Sequence, residues 1–96
     1  MRVRFTPAAF EDIAEISLAH EGRVAARLED AVFAATDRLG ERPELGVATD
    51  DQDARRWPIP EHGFAIFYRI DWQNERLQVL RVIDGRRVRD LKRVPR

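Results

Sequence analysis

The chain contains no cysteine. Neither a disulfide framework nor a thiolate metal site can therefore form, a composition that fits a reducing compartment. Two histidines in 96 residues are too few to hold a metal on their own, and no cofactor is implied. Lysine is nearly missing: Lys92 stands alone beside sixteen arginines. Guanidinium groups stay protonated and make poor bases, so this abundance of cations is not an abundance of acid–base catalysts. Long apolar runs are missing too. Nothing approaches the roughly 20 residues that cross a bilayer. Arg2 and Arg4 sit inside a short alternating pattern, not ahead of an apolar stretch, so a cytoplasmic protein without a leader is expected. At this length one domain over residues 1–96 is expected, burying about 60 to 65% of the unfolded chain's surface.

Formal net charge is zero, but the zero hides a division. Residues 1–53 hold 6 Arg against 12 acids, a balance of −6, whereas residues 54–96 hold 10 Arg and 1 Lys against 5 acids, a balance of +6. Clustered guanidiniums attract phosphates and carboxylates alike, so the second half is the one expected to meet an anionic or acidic partner.

Met1 to Phe5 alternates, with Val3 and Phe5 on one side and Arg2 and Arg4 on the other, and reads as a strand with one buried face. Thr6-Pro7 then opens a helix: the hydroxyl can cap a free N–H, and Pro7 occupies the first turn, where its missing donor does no harm. Ala9, Ile13 and Ile16 recur at helical spacing, with Phe10 and Ala14 widening the stripe, and Glu11 and Asp12 suit the positive helix end. His20-Glu21-Gly22 makes a short break. A second helix carries Val24, Leu28, Ala31, Val32, Ala35 and Leu39 on one face and ends at Gly40. Glu41 to Asp53, with Pro43 and Gly46, reads as a surface loop. Strands follow at Arg55–Ile59, Phe64–Asp71 and Arg76–Ile83, separated by turns, and Pro58 assigns the first of them to an edge. The order is β-α-α-β-β-β. It predicts an α+β fold in which an N-terminal helical hairpin packs on one face of a mainly antiparallel four-stranded sheet, followed by a short C-terminal tail or helix.

This order resembles the RelE/ParE toxins of type II toxin–antitoxin systems, and more closely the ParE branch. The residues that carry the resemblance span nearly the whole chain. They are Asp12-Ile13 and Ile16 in the first helix, then Leu39, Pro43 and Gly46, then Arg55-Arg56-Trp57. After these come Phe64-Ala65-Ile66-Phe67-Tyr68-Arg69-Ile70 and the ending Leu80-Arg81-Val82-Ile83-Asp84-Gly85-Arg86-Arg87. One departure is clear: Asp84 stands where ParE-like chains usually carry His. The resemblance implies a toxin held by a cognate antitoxin, with DNA gyrase as the ParE-like target and ribosome-dependent mRNA cleavage as the RelE-like alternative. A third alternative is a degenerate relative that only binds an antitoxin. A toxin–antitoxin hetero-oligomer is implied, and no membrane partner.

RNA cleavage of the RelE kind needs a base, cations for the developing phosphate charge and an acid for the leaving oxygen. Arg55, Arg56 and Arg81 could supply charge and Asp84 a base. No Tyr or His follows Arg81, however, which weakens that reading. Period two places Arg81 with Leu77, Val79 and Ile83, opposite Leu80 and Val82. With the latter pair against the helices, Arg81 would project from the uncovered face and could grip a carboxylate or phosphate. The alternative is an internal salt bridge to Asp71 or Asp84. Arg86, Arg87, Arg89, Lys92 and Arg93, with Arg96 beyond, form the densest basic stretch, either a solvated tail or an arm that joins Arg81 in binding the target. Trp57, Tyr68, Arg69 and Arg81 are the expected antitoxin contacts. Edge packing is the alternative for Trp57 and core packing for Tyr68, Trp72 is a second potential anchor, and His62 reads as a turn residue.

Overall fold

The structure is a computed structural model that describes residues 1–51, 53–60 and 62–84. The strand β1 (Arg2–Phe5) leads into helices α1 (Pro7–Leu18) and α2 (Gly22–Glu41). A single 3₁₀ turn at Pro43–Leu45 follows, then β2 (Val47–Ala48), β3 (Arg55–Ile59), β4 (Phe64–Asp71) and β5 (Arg76–Asp84). The sheet order is β1-β5-β4-β3-β2. Only β1 and β5 are parallel; the other pairs are antiparallel. The predicted α+β architecture is therefore present with five strands instead of four. The extra strand comes from the expected loop, where Val47 and Ala48 pair with Arg56 and Arg55.

Thr6 fixes where α1 begins. In extended conformation it accepts the Ala9 N–H on its hydroxyl oxygen at 3.1 Å, and the same hydroxyl donates to the Leu80 carbonyl at 2.8 Å. One residue thus caps the helix and ties its first turn to β5. Ala9, Ile13 and Ile16 of α1 and Leu28, Val32 and Leu39 of α2 close over Ile59, Ile66, Tyr68, Leu77, Val79 and Val82 of the sheet. Burial of each large aliphatic side chain there contributes about 1.5–3 kcal/mol.

Several local expectations shift. Val24 and Phe10 are exposed, while Ala25 and Thr36 take buried places on α2. Gly40 does not end α2. The helix runs on to Glu41, and Gly40 is instead a point of close approach, where a Cβ would lie 3.0 Å from Val3 Cγ2 and 3.1 Å from the Met1 carbonyl. The N-terminal amine donates to the Gly40 carbonyl at 2.9 Å.

One irregularity governs the site. Phe67 pairs with Arg81 but Tyr68 pairs with Val79, so Leu80 has no counterpart on β4. This bulge breaks the two-residue alternation of β5. Leu77, Val79 and Val82 all face the helices, whereas Leu80 and Ile83 belong with Ala54, Ala65 and Phe67 in a second, smaller cluster. The expected partnership of Leu80 with Val82 is thereby corrected: an extra residue turns the strand over between Val79 and Val82.

Candidate functional site

Arg81 does not project freely. Its Nε donates to Asp12 Oδ2 at 2.7 Å and its Nη2 to Oδ1 at 2.9 Å, a two-pronged pair from β5 to α1. Asp12 Oδ2 also accepts the Val82 N–H at 2.9 Å. β1 pairs with β5 only over Arg76 to Val79, so beyond that point α1 closes the open strand edge through this carboxylate. Asp12 is 8% exposed, and its three hydrogen bonds offset the cost of burying its charge. The Arg81 pKa is raised above its ordinary value, first by the hydrogen bonds to Asp12, against a smaller opposing effect of burial. Of the two readings the sequence left open, an internal ion pair is the one observed. Its partner is Asp12, not Asp71 or Asp84.

Tyr68 is also committed within the chain. It is fully buried, its hydroxyl donates to the Pro43 carbonyl at 2.7 Å, and it accepts the Gly46 N–H at 2.8 Å. Arg55 Nη1 donates to the Gly46 carbonyl at 2.8 Å, so two side chains from neighbouring strands hold the segment after α2 against the sheet. Burial raises the Tyr68 pKa, opposed by the Gly46 N–H and the Arg55 charge. Tyr68 thus takes the core-packing place that the sequence offered as the alternative to an antitoxin contact.

The other expected residues are dispersed. Arg56 and Arg81 lie in one cross-strand row with Phe67 between them. Arg55 occupies the opposite face of β3, and Asp84 pairs with Phe64 at the far end of β5. The four catalytic candidates therefore do not converge. Arg69 is exposed and donates from Nε to Gln78 Oε1 at 2.6 Å. Trp57 is half-buried, with the Arg38 guanidinium 6.0 Å from its ring centre, a cation–π arrangement. Beside them a groove of about 340 Å³ runs between α2 and β3, lined by Ala31, Ala35, Arg38, Trp57, Pro58 and Ile59. β2 covers only Arg55 and Arg56, so the outer edge of β3 from Trp57 to Ile59 is unpaired by β2. Trp72 is exposed in the turn between β4 and β5. Arg86, Arg87, Arg89, Lys92 and Arg93 lie outside the described residues.

Sequence reasoning missed the role of Asp12, although a signal was present. Asp12 falls three residues after Ala9 and four before Ile16, on the buried stripe and not the solvent face. A carboxylate in that position requires a cation opposite it.

A helical hairpin laid over one side of a twisted sheet, with a parallel N-terminal strand beside the last strand, is the fold of the RelE/ParE superfamily. The chain resembles the chromosomal ParDE system from P. aeruginosa at a TM-score of 0.73 and 17% identity, covering 88% of this chain and 95% of that one. It is similar to the RelBE2 toxin–antitoxin complex of Mycobacterium tuberculosis (TM-score 0.60, 22% identity, 86% and 95% covered). It is also similar to the intact E. coli RelBE complex (TM-score 0.63, 13% identity, 84% and 92% covered). No curated protein sequence gives a significant match. The family described as ParE toxin of type II toxin-antitoxin system, parDE, matches residues 3–89. The chain belongs to the ParE toxin family.

Proposed function

We infer that this protein is the toxin of a type II toxin–antitoxin pair, that it acts in the cytoplasm by binding DNA gyrase, and that a cognate antitoxin neutralises it. The observation that carries this reading is the family match over residues 3–89. The geometry adds support, because RNA cleavage would draw on Arg81 and on a phenol or imidazole acid. Arg81 is gripped by Asp12, the Tyr68 hydroxyl is buried with both hydrogen bonds made, and Arg55, Arg56 and Asp84 stand apart. The protein acts as a binding module, and Arg86, Arg87, Arg89, Lys92 and Arg93 form its gyrase-binding arm.

The antitoxin segment is acidic and amphipathic, and it folds as it binds. The groove between α2 and β3 suits it: Ala31, Ala35 and Ile59 form an apolar floor, Trp57 an anchor and Arg38 a cation for its acids. Arg69 is available as a second polar contact.

The test is induction of the protein without its antitoxin. The expected result is filamentation with DNA-damage signalling. An immediate halt in translation with cut transcripts would establish the RelE-like alternative instead. Unimpaired growth would identify a non-toxic relative that only binds its antitoxin.

A further inference from the structure

The face of the sheet away from the helices carries a charged array. Val3 and Phe5 of β1 pack with the helix-side core, which turns Arg2 and Arg4 outward. Arg2 stands beside Arg76 and Arg4 beside Gln78 across β1 and β5, and Asp71 and Arg69 continue the same two rows on β4. The rows therefore read Arg2–Arg76–Asp71 and Arg4–Gln78–Arg69. All four arginines are exposed. The single salt bridge found among the described residues, Asp12–Arg81, involves none of them. Asp71 has its carboxylate bound by Asn74, whose backbone N–H lies 3.2 Å from Oδ1 and whose side-chain amide lies 2.8 Å from Oδ2. Four guanidiniums thus stand with two acids, Asp71, which Asn74 binds and whose charge lies close to Arg76 and Arg69, and Asp53, which shares a pocket with Arg69, and the array keeps an excess of positive charge. Neighbouring rows are about 6.7 Å apart along the strands and neighbouring strands about 4.8 Å apart, a scale comparable with the spacing of successive backbone phosphates.

We propose that this face, through Arg2, Arg4, Arg69 and Arg76, binds the phosphate backbone of duplex DNA without reading its sequence. Guanidiniums at these intervals neutralise phosphates and release counterions. An acidic protein fits less well, because stable protein interfaces centre on an aromatic or aliphatic anchor and these two rows contain none. A single strand fits less well for a related reason: such sites add a series of rings on which successive bases stack, and this array has one exposed ring at its margin, Trp72 beside Arg69 and Asp71, while Phe67 is 4% exposed. Duplex RNA is commonly read through its 2′-hydroxyls. The array's one uncharged polar side chain, Gln78, is taken up by Arg69. This inference is independent of whether gyrase is the target, although a DNA contact would hold the protein beside an enzyme at work on DNA.

The experiment is fluorescence anisotropy of a labelled 20-base-pair DNA duplex against the purified full chain, titrated with salt. Neutralising two arginines, in Arg4→Gln/Arg76→Gln, removes about two phosphate contacts and lowers the slope of log affinity against log salt by about 1.8. Lines that meet at 1 M salt then differ by about 60-fold at 0.1 M. Arg2→Gln/Arg69→Gln serves as a second pair should the first fold poorly, as judged by circular dichroism. Slopes unchanged in a folded double variant, together with loss of binding in Arg86→Gln/Arg87→Gln, would assign any DNA affinity to the tail and overturn the proposal. So would tighter binding to the matching duplex RNA, displacement of DNA by polyglutamate at equal charge, or no binding at 50 mM salt.

Discussion

Replacing Asp12 with Ala severs the link between α1 and the free edge of β5, and the size of the effect follows from what is left behind. The Val82 N–H, buried at the strand edge, loses its acceptor, which costs about 1–3 kcal/mol. The Arg81 guanidinium loses a two-pronged partner. Breaking a fully buried pair costs about 3–5 kcal/mol, but the Arg81 side chain is 20% exposed and recovers part of that from water. A net loss of about 3 kcal/mol is expected. For a domain of this size each kcal/mol moves Tm by about 4–8 °C, so Asp12→Ala is expected to melt about 12–24 °C lower. Urea unfolding of the wild type, Asp12→Ala, Arg81→Met and the double variant completes the cycle, with a coupling energy of at least about 1 kcal/mol between the two sites. Because the carboxylate is enclosed, 1 M salt should change that coupling little. Strict additivity, or a loss from Asp12→Ala below about 0.5 kcal/mol, would refute the idea that this pair fastens α1 to the sheet.

Tyr68 is the only tyrosine in the chain, so the near-ultraviolet absorbance of phenolate reports on it alone. Its folded-state pKa is raised above 10.0, so the folded state holds the proton more tightly than the unfolded state. Its contribution to stability is therefore complete below pH 10.0 and is lost as pH rises through the higher folded value. The phenolate signal should appear only above pH 10.0 and together with loss of the folded circular dichroism; titration at or below 10.0 in a still-folded protein would contradict this. At Gly46 an added Cβ would run into the Tyr68 hydroxyl and lie 2.6 Å from Cε1 and 2.8 Å from Cζ of the ring. Gly46→Ala should thus cost about 1–3 kcal/mol by calorimetry, an effect that a loop free of the sheet would not show. Leu28, 5% exposed in the main core, should not tolerate Asp: Leu28→Asp is expected to abolish the cooperative melt, and a soluble variant with a sharp transition would count against the helix packing.

The elements were legible in the sequence wherever period and punctuation agreed. Thr6-Pro7 marked the start of α1, Ile13, Ile16, Leu28, Val32 and Leu39 marked the apolar faces, and the strands from Arg55 onward fell within a residue of their places. Where the reading departed, it was pairing across the chain that decided. Val47 and Ala48 become a strand only because β3 offers an edge. Gly40 looks like a helix stop until Met1 and Val3 are found packed against it. The site was less legible for the same reason. A strict alternation placed Leu80 with Val82, and no local signal announces the bulge that separates them, since it arises from the register of β4 against β5. Asp12 and Arg81 are 69 residues apart in sequence. Only the position of Asp12 on a buried stripe hinted that the helix carried a counter-ion.

The chain belongs to the ParE toxin family, and the proposed mode of action is binding to gyrase in place of RNA cleavage. Purified protein added to gyrase, relaxed plasmid and ATP tests it directly, alongside a parallel reaction with translating ribosomes and labelled mRNA. Concentration-dependent loss of supercoiling, relieved by the cognate antitoxin, is expected, with the message intact. Undiminished supercoiling beside mRNA cut at the ribosome would contradict it.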